Sequence, residues 1–351
     1  MTEKDDIKFM KRCLELASKA EGLTYPNPLV GSVIVNGGKI IGEGYHLKAG
    51  GPHAEVNAIN SVQDKSKLKT STLYVNLEPC SHFGRTPPCA DLIVSEGIPR
   101  VVIGTIDTSA KVSGKGMTRL KDAGCEVISG VVEEGCRRLN RRFFTFIEKK
   151  RPYITLKWAQ SADGYLDIRR PENAGKKPTW ISGKPERVLV HKWRSEEEAI
   201  LVGAGTVRAD DPKLNVRDWA GNDPVKIILS NSGMFGNELS MIKTGSKLIV
   251  FTTNMGADIP GAIKVKLTDD IPSAQQITRY LFNNGIQSLL VEGGAMVLDH
   301  FTSVGLWDEA RIFTGRTFFN EGVKAPLLTG KIISEENFDT SLLSIYVNNG
   351  S

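Results

Sequence analysis

Residues 50–59 read GGPHAEVNAI and residues 76–89 read NLEPCSHFGRTPPC. His53 and Glu55 stand two apart just after Pro52, and Cys80 and Cys89 each directly follow a proline. Proline ahead of a run with apolar residues at helical spacing marks a helix start, so His53 and Cys89 both fall at predicted helix N-termini. Amide dipoles there favour the thiolate, the form of cysteine that binds metal. One imidazole and two thiolates make a soft donor set suited to zinc. Three protein ligands leave the fourth tetrahedral position open, as catalytic zinc sites do. Glu55, within the first helical turn, can point near that position without binding the metal. Zinc acidifies water to a pKa of about 7, and an adjacent carboxylate can take the proton and pass it to a leaving amine.

The order H-x-E then P-C is the signature of zinc-dependent nucleobase deaminases. The usual second half is P-C-x-x-C, whereas eight residues separate Cys80 from Cys89 here. A purely structural zinc site would want a fourth protein ligand, for which His82 is the nearby candidate, and would leave Glu55 without a task. The chief alternative is a nucleic-acid deaminase of the tRNA type with an accessory domain. It predicts the shorter cysteine spacing and aromatic or basic platforms for bases; neither is evident.

Working outward, the first half reads as alternating helices and strands. Asp5 or Asp6 is placed to cap a helix whose apolar positions Phe9, Met10, Cys13, Leu14 and Ala17 recur at helical spacing. PNPLVGSVIV (26–35) runs into a β-branched strand, with NGGK (36–39) as a hairpin turn. STLYVNLEP and RVVIGTID read as strands, and PPCADLIVSEG as a helix ending near Gly97. Strands separated by helices predict a helix-covered α/β sheet. The basic run CRRLNRRFFTFIEKKRP (136–152) reads as a solvated helix face leading into an interdomain connector rather than an RNA patch. Pro152 opens a new strand, and AILVGAGTV, VKIILS, SKLIVFTT and QSLLVEGGAMVLDHF restart the pattern. A second α/β unit follows.

The 351 residues suit two domains, and 40% apolar with 24% charged residues is ordinary soluble composition. The opening MTEKDDIKFM carries no leader pattern, and no apolar run reaches the roughly 20 residues a membrane span needs. A cytoplasmic protein is expected. Five cysteines there are no disulfide framework; Cys13, Cys125 and Cys136 read as small buried apolar residues. The net charge of +5 fits anionic small molecules as well as nucleic acid, and decides nothing alone.

YPNPLVGSVIV (25–35), GPHAEVNAI (51–59) and LEPCSHFGRTPPC (77–89) resemble the deaminase half of the bifunctional riboflavin-biosynthesis deaminase–reductase family. In that family the cysteines are separated by this longer loop. The resemblance implies a cytidine-deaminase-like α/β/α fold for residues 1–148, with zinc on His53, Cys80 and Cys89 and Glu55 as the catalytic carboxylate. The implied substrate is 2,5-diamino-6-ribosylamino-4(3H)-pyrimidinone 5′-phosphate, which loses its 2-amino group as ammonia. Carried over by position, Asn27 and His46 hold the pyrimidine, His82 and the GRTPP loop (84–88) line the pocket, and Asp107 and Lys115 contact the substrate. Family members commonly read DPNP before GKG, whereas this chain reads DTSAKVSGKG (107–116), with Ser109 in place of an asparagine. Lys115 between two glycines is expected to meet the phosphate, since glycine lets backbone amides approach an anion.

In the second half, LVGAGTVRADDP (201–212) lacks the G-x-G-x-x-G dinucleotide fingerprint. LLVEGGAMVLDHF offers strand, Gly293-Gly294 turn, then a helix whose free amides could bind phosphate. RPYITLKWAQSADG (151–164), WISG (180–183), AILVGAGTVRADDPKLNVR (199–217) and VEGGA (291–295) resemble the reductase half of the same family, in the same order. That implies a dihydrofolate-reductase-like α/β domain over residues 149–351, using NADPH to reduce the ribosyl group to ribityl. By position, Lys157, Arg194, Leu214, Arg217 and Glu292 surround the phosphorylated substrate, arginine suiting phosphate through its planar fork. Ala159, Trp180, Thr206, Asp210, Gly293 and Gly294 contact the cofactor. Tyr165 stands where a lysine often follows DG, and Pro178 where a serine is usual. The implied partners are the phosphorylated pyrimidine and NADPH, without nucleic acid or membrane, in a homo-oligomer.

Overall fold

The computed structural model describes residues 2–83, 87–109, 113–168, 179–233, 239–256, 259 and 261–350. The chain divides into two compact units, Met1–Lys150 and Arg151–Ser351.

In the first unit, β1 (Gly31–Asn36), β2 (Lys39–Tyr45), β3 (Thr72–Leu77), β4 (Arg100–Thr105) and β5 (Glu126–Ser129) form a sheet in the order β2-β1-β3-β4-β5. β1 is antiparallel to β2 and β3, and β3, β4 and β5 run parallel. The helices are α1 (Glu3–Ser18), α2 (Ala54–Ser61), α3 (Cys89–Ser95), α4 (Lys115–Asp122), α5 (Glu133–Leu139) and α6 (Arg141–Lys149). On one face Phe9, Met10, Cys13 and Leu16 of α1 and Cys136 of α5 pack on Val33, Val35, Tyr74 and Val102. On the other, Ala58 and Ile59 of α2, Ala90 and Ile93 of α3 and Leu120 of α4 pack on Ile34, Leu73, Val75, Val101 and Ile103. Covered on both faces, β3 is buried along its whole length.

Three local readings change. α1 is capped by Thr2, not by Asp5 or Asp6. The Thr2 hydroxyl accepts from the Asp5 amide while the Asp5 carboxylate accepts from the Thr2 amide at 2.9 Å, a reciprocal box. Asp6 turns inward, taking the Arg100 guanidinium at 2.8 Å and the Tyr74 hydroxyl at 2.7 Å. The basic run is not wholly a solvated face: Arg142 is buried against Glu21 at 2.7 Å. Arg137 pairs with Glu148 at 2.7 Å, so these cations are matched within the fold. Cys13 and Cys136 are buried as expected, whereas Cys125 is only partly so.

Helix α2 approaches the sheet through missing side chains. A Cβ on Gly44 would lie 2.3 Å from the Ala58 nitrogen, and one on Gly42 would lie 2.6 Å from the Ala58 carbonyl oxygen. Both glycines of IIGEGY thus point at the helix that carries Glu55 and is capped by His53. Gly44→Ala is expected to push α2 outward, costing about 1–3 kcal/mol as overpacking does and lowering zinc retention together with it. Chemical denaturation and metal analysis of the variant check this; unchanged zinc content in a destabilised protein would separate the two.

In the second unit, β6 (Tyr153–Gln160), β8 (Ala199–Gly203), β9 (Val225–Leu229), β10 (Leu248–Thr252), β11 (Ala262–Lys266), β12 (Ser288–Gly293), β13 (Glu309–Gly315), β15 (Gly330–Asn337) and β16 (Ser341–Asn348) form one sheet, while β7 (Tyr165–Asp167) pairs with β14 (Val323–Lys324). The order is β11-β10-β9-β8-β12-β6-β13-β16-β15. The strands from β11 to β13 run parallel, and β16 and β15 add an antiparallel edge. α9 (Ser273–Asn283) and α10 (Ala295–Thr302) cover one face. On the other, Val207 of α8 (Ala204–Asp210) packs on Ile200, Val202 and Ile228, and Val190 and Trp193 of α7 (Lys184–Glu196) pack on Phe313 and Leu343. β12 inserts between β8 and β6, so the chain order reverses there. In parallel sheets such a reversal opens a crevice at the strands' carboxyl ends.

Candidate functional site

In the first unit, β3 ends at Leu77 and delivers Cys80, α2 starts at His53 and α3 starts at Cys89. The ligand atoms of His53, Cys80 and Cys89 all lie within 4.8 Å of one another. His53 Nδ1 stands 3.6 Å from Cys80 Sγ and 3.3 Å from Cys89 Sγ. The two cysteines are tied directly by backbone bonds: the Ala90 amide donates to the Cys80 carbonyl at 3.1 Å and the Cys89 amide to Cys80 Sγ at 3.3 Å. The longer spacing therefore does not widen the donor set. One imidazole and two sulfurs at this spacing fit a tetrahedral zinc with one position left over. His82 is exposed and outside this cluster, so the described residues supply no fourth ligand.

The electrostatics match a cation site. Hydrogen bonds accepted from Cys89 and from His53 outweigh the cost of burial and hold the Cys80 thiol well below its usual range. Cys89 is pushed up by its bond to Cys80 and by burial. His53 is raised, first by its bond to Cys80. Glu55 is 3% exposed and hydrogen-bonds Cys89; burial, then the Cys80 charge, raises its carboxyl to about 7. A carboxylate with that pKa exchanges protons near neutrality.

Asn27 and His46 join this site. The His46 ring lies 5.6 Å from that of His53, edge-on. His46 Nδ1 is 3.0 Å from the Pro52 carbonyl oxygen, which only accepts, so that nitrogen carries the proton. Burial lowers the His46 pKa and keeps the ring neutral, so Nε2 accepts from Asn27 Nδ2 at 3.0 Å. The segment bearing Asn27 is fastened by two buried amides. Asn140 accepts from the Leu29 amide and donates to its carbonyl, and Asn76 donates to Leu29 and accepts from Gly31. The break between α5 and α6 exists at Asn140, which gives the basic run a structural task.

Asp107 is buried, and its carboxylate accepts from the Ser109 amide at 2.7 Å. The bond uses Ser109's backbone, so the turn does not need the family's asparagine side chain. Lys115 begins α4 and lines a cavity of about 840 Å³ with Ser81, Ser113, Gly114, Thr118 and Arg119. The expectation of backbone amides for a phosphate does not hold. The Gly114, Gly116 and Met117 amides already donate to the buried Glu78 carboxylate, at 3.0, 2.9 and 3.2 Å. Positions 84–86 of the GRTPP loop lie outside the described residues.

In the second unit, Glu292 on β12, Arg194 on α7 and Lys157 on β6 form a charged cluster largely withdrawn from solvent, with the Arg194 and Glu292 side chains 11% and 7% exposed. Arg194 grips both Glu292 oxygens at 2.7 Å and donates to the Asn215 carbonyl at 3.3 Å. Its fork is thus spent on a carboxylate rather than held open for phosphate. Burial opposes the Glu292 charge, but Arg194 and Lys157 outweigh it and hold the carboxyl at about 2. Burial lowers the Lys157 pKa, countered by Glu292. Leu214 is 2% exposed and packs with Ile200 and Ile228, so its side chain belongs to the core and only its backbone is left for substrate.

Arg217 lines a cavity of about 380 Å³ with Trp180, Lys184, Arg187, Val188 and Asp218. Trp180 is 59% exposed, with the Arg187 guanidinium 4.4 Å from its ring, so it is not a core residue. His191, which the sequence reading passed over, accepts the Arg217 amide on Nδ1 at 3.4 Å. Burial and the charges of Arg194 and Arg217 depress it to about 4, so Nε2 carries the proton and faces Asp218 at 3.4 Å. The available signal was its place three residues before Arg194, on the same helix face.

Gly293 and Gly294 adopt φ of 146° and 79°, values closed to most side chains, between β12 and α10. A Cβ on Gly294 would come 3.2 Å from the Thr206 hydroxyl, so α8 and this turn face each other with no room for a side chain. A bare backbone cradle beside a hydroxyl at the crevice fits the phosphates of a nucleotide cofactor. Ala159 lies two positions beyond Lys157 on β6, and Asp210 ends α8. Tyr165 sits in β7, paired with Lys324; Pro178 lies outside the described residues.

Among the described residues no helix is long and apolar enough to cross a membrane. Residues 3–105 match the family profile of the cytidine and deoxycytidylate deaminase zinc-binding region, and residues 152–339 that of the RibD C-terminal domain. Riboflavin biosynthesis protein RibD of Aquifex aeolicus is 42% identical over 328 residues, covering 92% of this chain and 90% of that protein. That of Escherichia coli is 34% identical over 326 residues, covering 88% and 87%. A solved structure from Thermotoga maritima, described as a diaminohydroxyphosphoribosylaminopyrimidine deaminase/5-amino-6-(5-phosphoribosylamino)uracil reductase, matches with TM-score 0.90 at 38% identity, covering 99% of each chain. The two units accordingly have the cytidine-deaminase-like and dihydrofolate-reductase-like folds. A zinc-site deaminase unit and a RibD-type reductase unit on one chain, matched end to end, place it in the RibD family of bifunctional riboflavin-biosynthesis proteins.

Proposed function

We propose that residues 1–148 deaminate 2,5-diamino-6-ribosylamino-4(3H)-pyrimidinone 5′-phosphate and that residues 149–351 reduce the ribosyl group of the product to ribityl with NADPH. The observation that carries the first reading is the buried Glu55 beside three zinc donors, with no fourth among the described residues. His53, Cys80 and Cys89 would hold zinc, which would supply a water acidified enough to attack near neutral pH. Glu55 takes a proton on its carboxylate and delivers it to the 2-amino nitrogen, which leaves as ammonia. Neutral His46 and Asn27, locked to one another, present fixed polar groups to the pyrimidine ring, with His82 at the exposed rim. Asp107 and Lys115 contact the ribosyl phosphate side.

NADPH supplies the hydride for the sugar C1′ in its open-chain imine form. The Gly293-Gly294 turn, Thr206, Asp210, Trp180 and Ala159 would hold the cofactor, the bare glycine backbone suiting its phosphates. Arg217, exposed at its cavity, takes the substrate phosphate. Arg194 orients Glu292, and Lys157 and Glu292 face the reacting sugar. A homo-oligomer is expected from the family, and sedimentation of the intact chain tests it.

One assay separates the two halves. The diamino substrate should release ammonia, and NADPH should be consumed only after that step. A chelator should stop ammonia release while leaving NADPH oxidation intact when the deaminated substrate is supplied directly. NADPH oxidation that fails with the deaminated substrate sinks the reductase reading alone.

A further inference from the structure

Glu78 joins two parts of the first unit. It follows β3 and stands two residues before Cys80, and its carboxylate is 4% exposed. It accepts from four backbone amides far along the chain: Asp107 at 3.3 Å, Gly114 at 3.0 Å, Gly116 at 2.9 Å and Met117 at 3.2 Å. The same segment presses on the next residue, since a Cβ on Gly116 would lie 2.1 Å from the Pro79 carbonyl oxygen. A carboxylate at the first turn of α4 also complements the helix dipole.

We propose that Glu78 is a positioning residue for deamination, tying the segment that bears Asp107 and Lys115 to the Pro79–Cys80 stretch that holds the metal. It sets the distance between the grip on the substrate's phosphate and the metal-bearing loop. The inference rests on the reading of Asp107 and Lys115 as contacts on the phosphate side of the substrate. Because Glu78 occupies the amides of Gly114, Gly116 and Met117, the phosphate is left to side chains, and their placement depends on this one carboxylate. The cavity that Lys115 lines also touches Ser81, the residue after Cys80, so both ends of the tie border one space. Four amides on one buried acceptor are a structural commitment that an isosteric amide cannot reproduce, because its nitrogen donates.

The test compares Glu78→Gln, Lys115→Ala and the double variant in the intact chain, using the 5′-phosphate substrate and its dephosphorylated form, with zinc content measured. Glu78→Gln should keep zinc and lose at least about tenfold in kcat/KM for the phosphorylated substrate, through KM, with little change for the dephosphorylated one. The double variant should be no worse than Lys115→Ala. Gly116→Ala, whose added Cβ would meet the Pro79 carbonyl oxygen at 2.1 Å and the Glu78 carboxylate at 3.2 Å, strains the same tie from its other end and should show the same pattern. Equal losses on both substrates, loss of zinc, or additive effects in the double variant overturn the proposal. If Lys115→Ala loses the phosphate preference and neither Glu78→Gln nor Gly116→Ala does, the proposal fails and the Lys115 assignment stands. If Lys115→Ala keeps the preference while Glu78→Gln loses it, the Lys115 assignment falls and the positioning role stands through Asp107.

Discussion

Glu55→Gln is expected to abolish ammonia release while the chain keeps its zinc. The change preserves shape and removes only the ability to take and return a proton. General acid–base catalysis contributes about 10²–10⁴-fold, and no second carboxylate joins His53, Cys80 and Cys89 among the described residues. The ligand atoms themselves are untouched, because Glu55 points at the cluster from α2 without belonging to it. Metal analysis should therefore match the wild type, and NADPH oxidation with the deaminated substrate should be unaffected. Ammonia release within a few fold of wild type would remove Glu55 from the mechanism. Loss of zinc would show instead that the carboxylate is needed to assemble the site.

The contrast between the two sites explains what was legible in the sequence. The zinc site lies where prolines start helices, and residue type, helix phase and ligand chemistry all converge on His53, Glu55, Cys80 and Cys89. The longer cysteine spacing was the apparent mismatch, and the Ala90–Cys80 backbone bond, which no spacing rule encodes, ties its two ends. Long-range polar ties were not legible. Asn140 reaches Leu29 across 111 positions and Glu78 reaches Met117 across 39, and neither leaves a periodic trace. Thr2 was missed as a cap because two acids followed it, although Asp5 three positions on completes the box. In the second unit the fold was readable as strands and helices, but the site is assembled from side chains on separate elements. Arg194 was read by its general taste for phosphate, whereas its position opposite Glu292 decided its partner.

That pair carries the second large effect. Glu292→Leu is expected to destabilise the second unit by about 3–5 kcal/mol, because it leaves Arg194 and Lys157 largely withdrawn from solvent without an anion. The pH dependence gives an independent measure. Glu292 titrates at about 2 in the folded chain against an ordinary 4.5, so its folded pKa is depressed. Its contribution is therefore complete above about 4.5 and is lost as pH falls from there toward 2; the shift corresponds to about 3 kcal/mol. The stability gap between wild type and Glu292→Leu, read by chemical denaturation, should be widest near neutrality and narrow through that window. Arg217→Ala is the matched control. Its side chain is 47% exposed, so its removal should cost under about 1 kcal/mol in stability and raise KM for the phosphorylated substrate instead. A Glu292→Leu protein as stable as wild type at neutral pH would mean that the cluster is solvated in solution, and the proposed anchoring of Glu292 by Arg194 would fall with it.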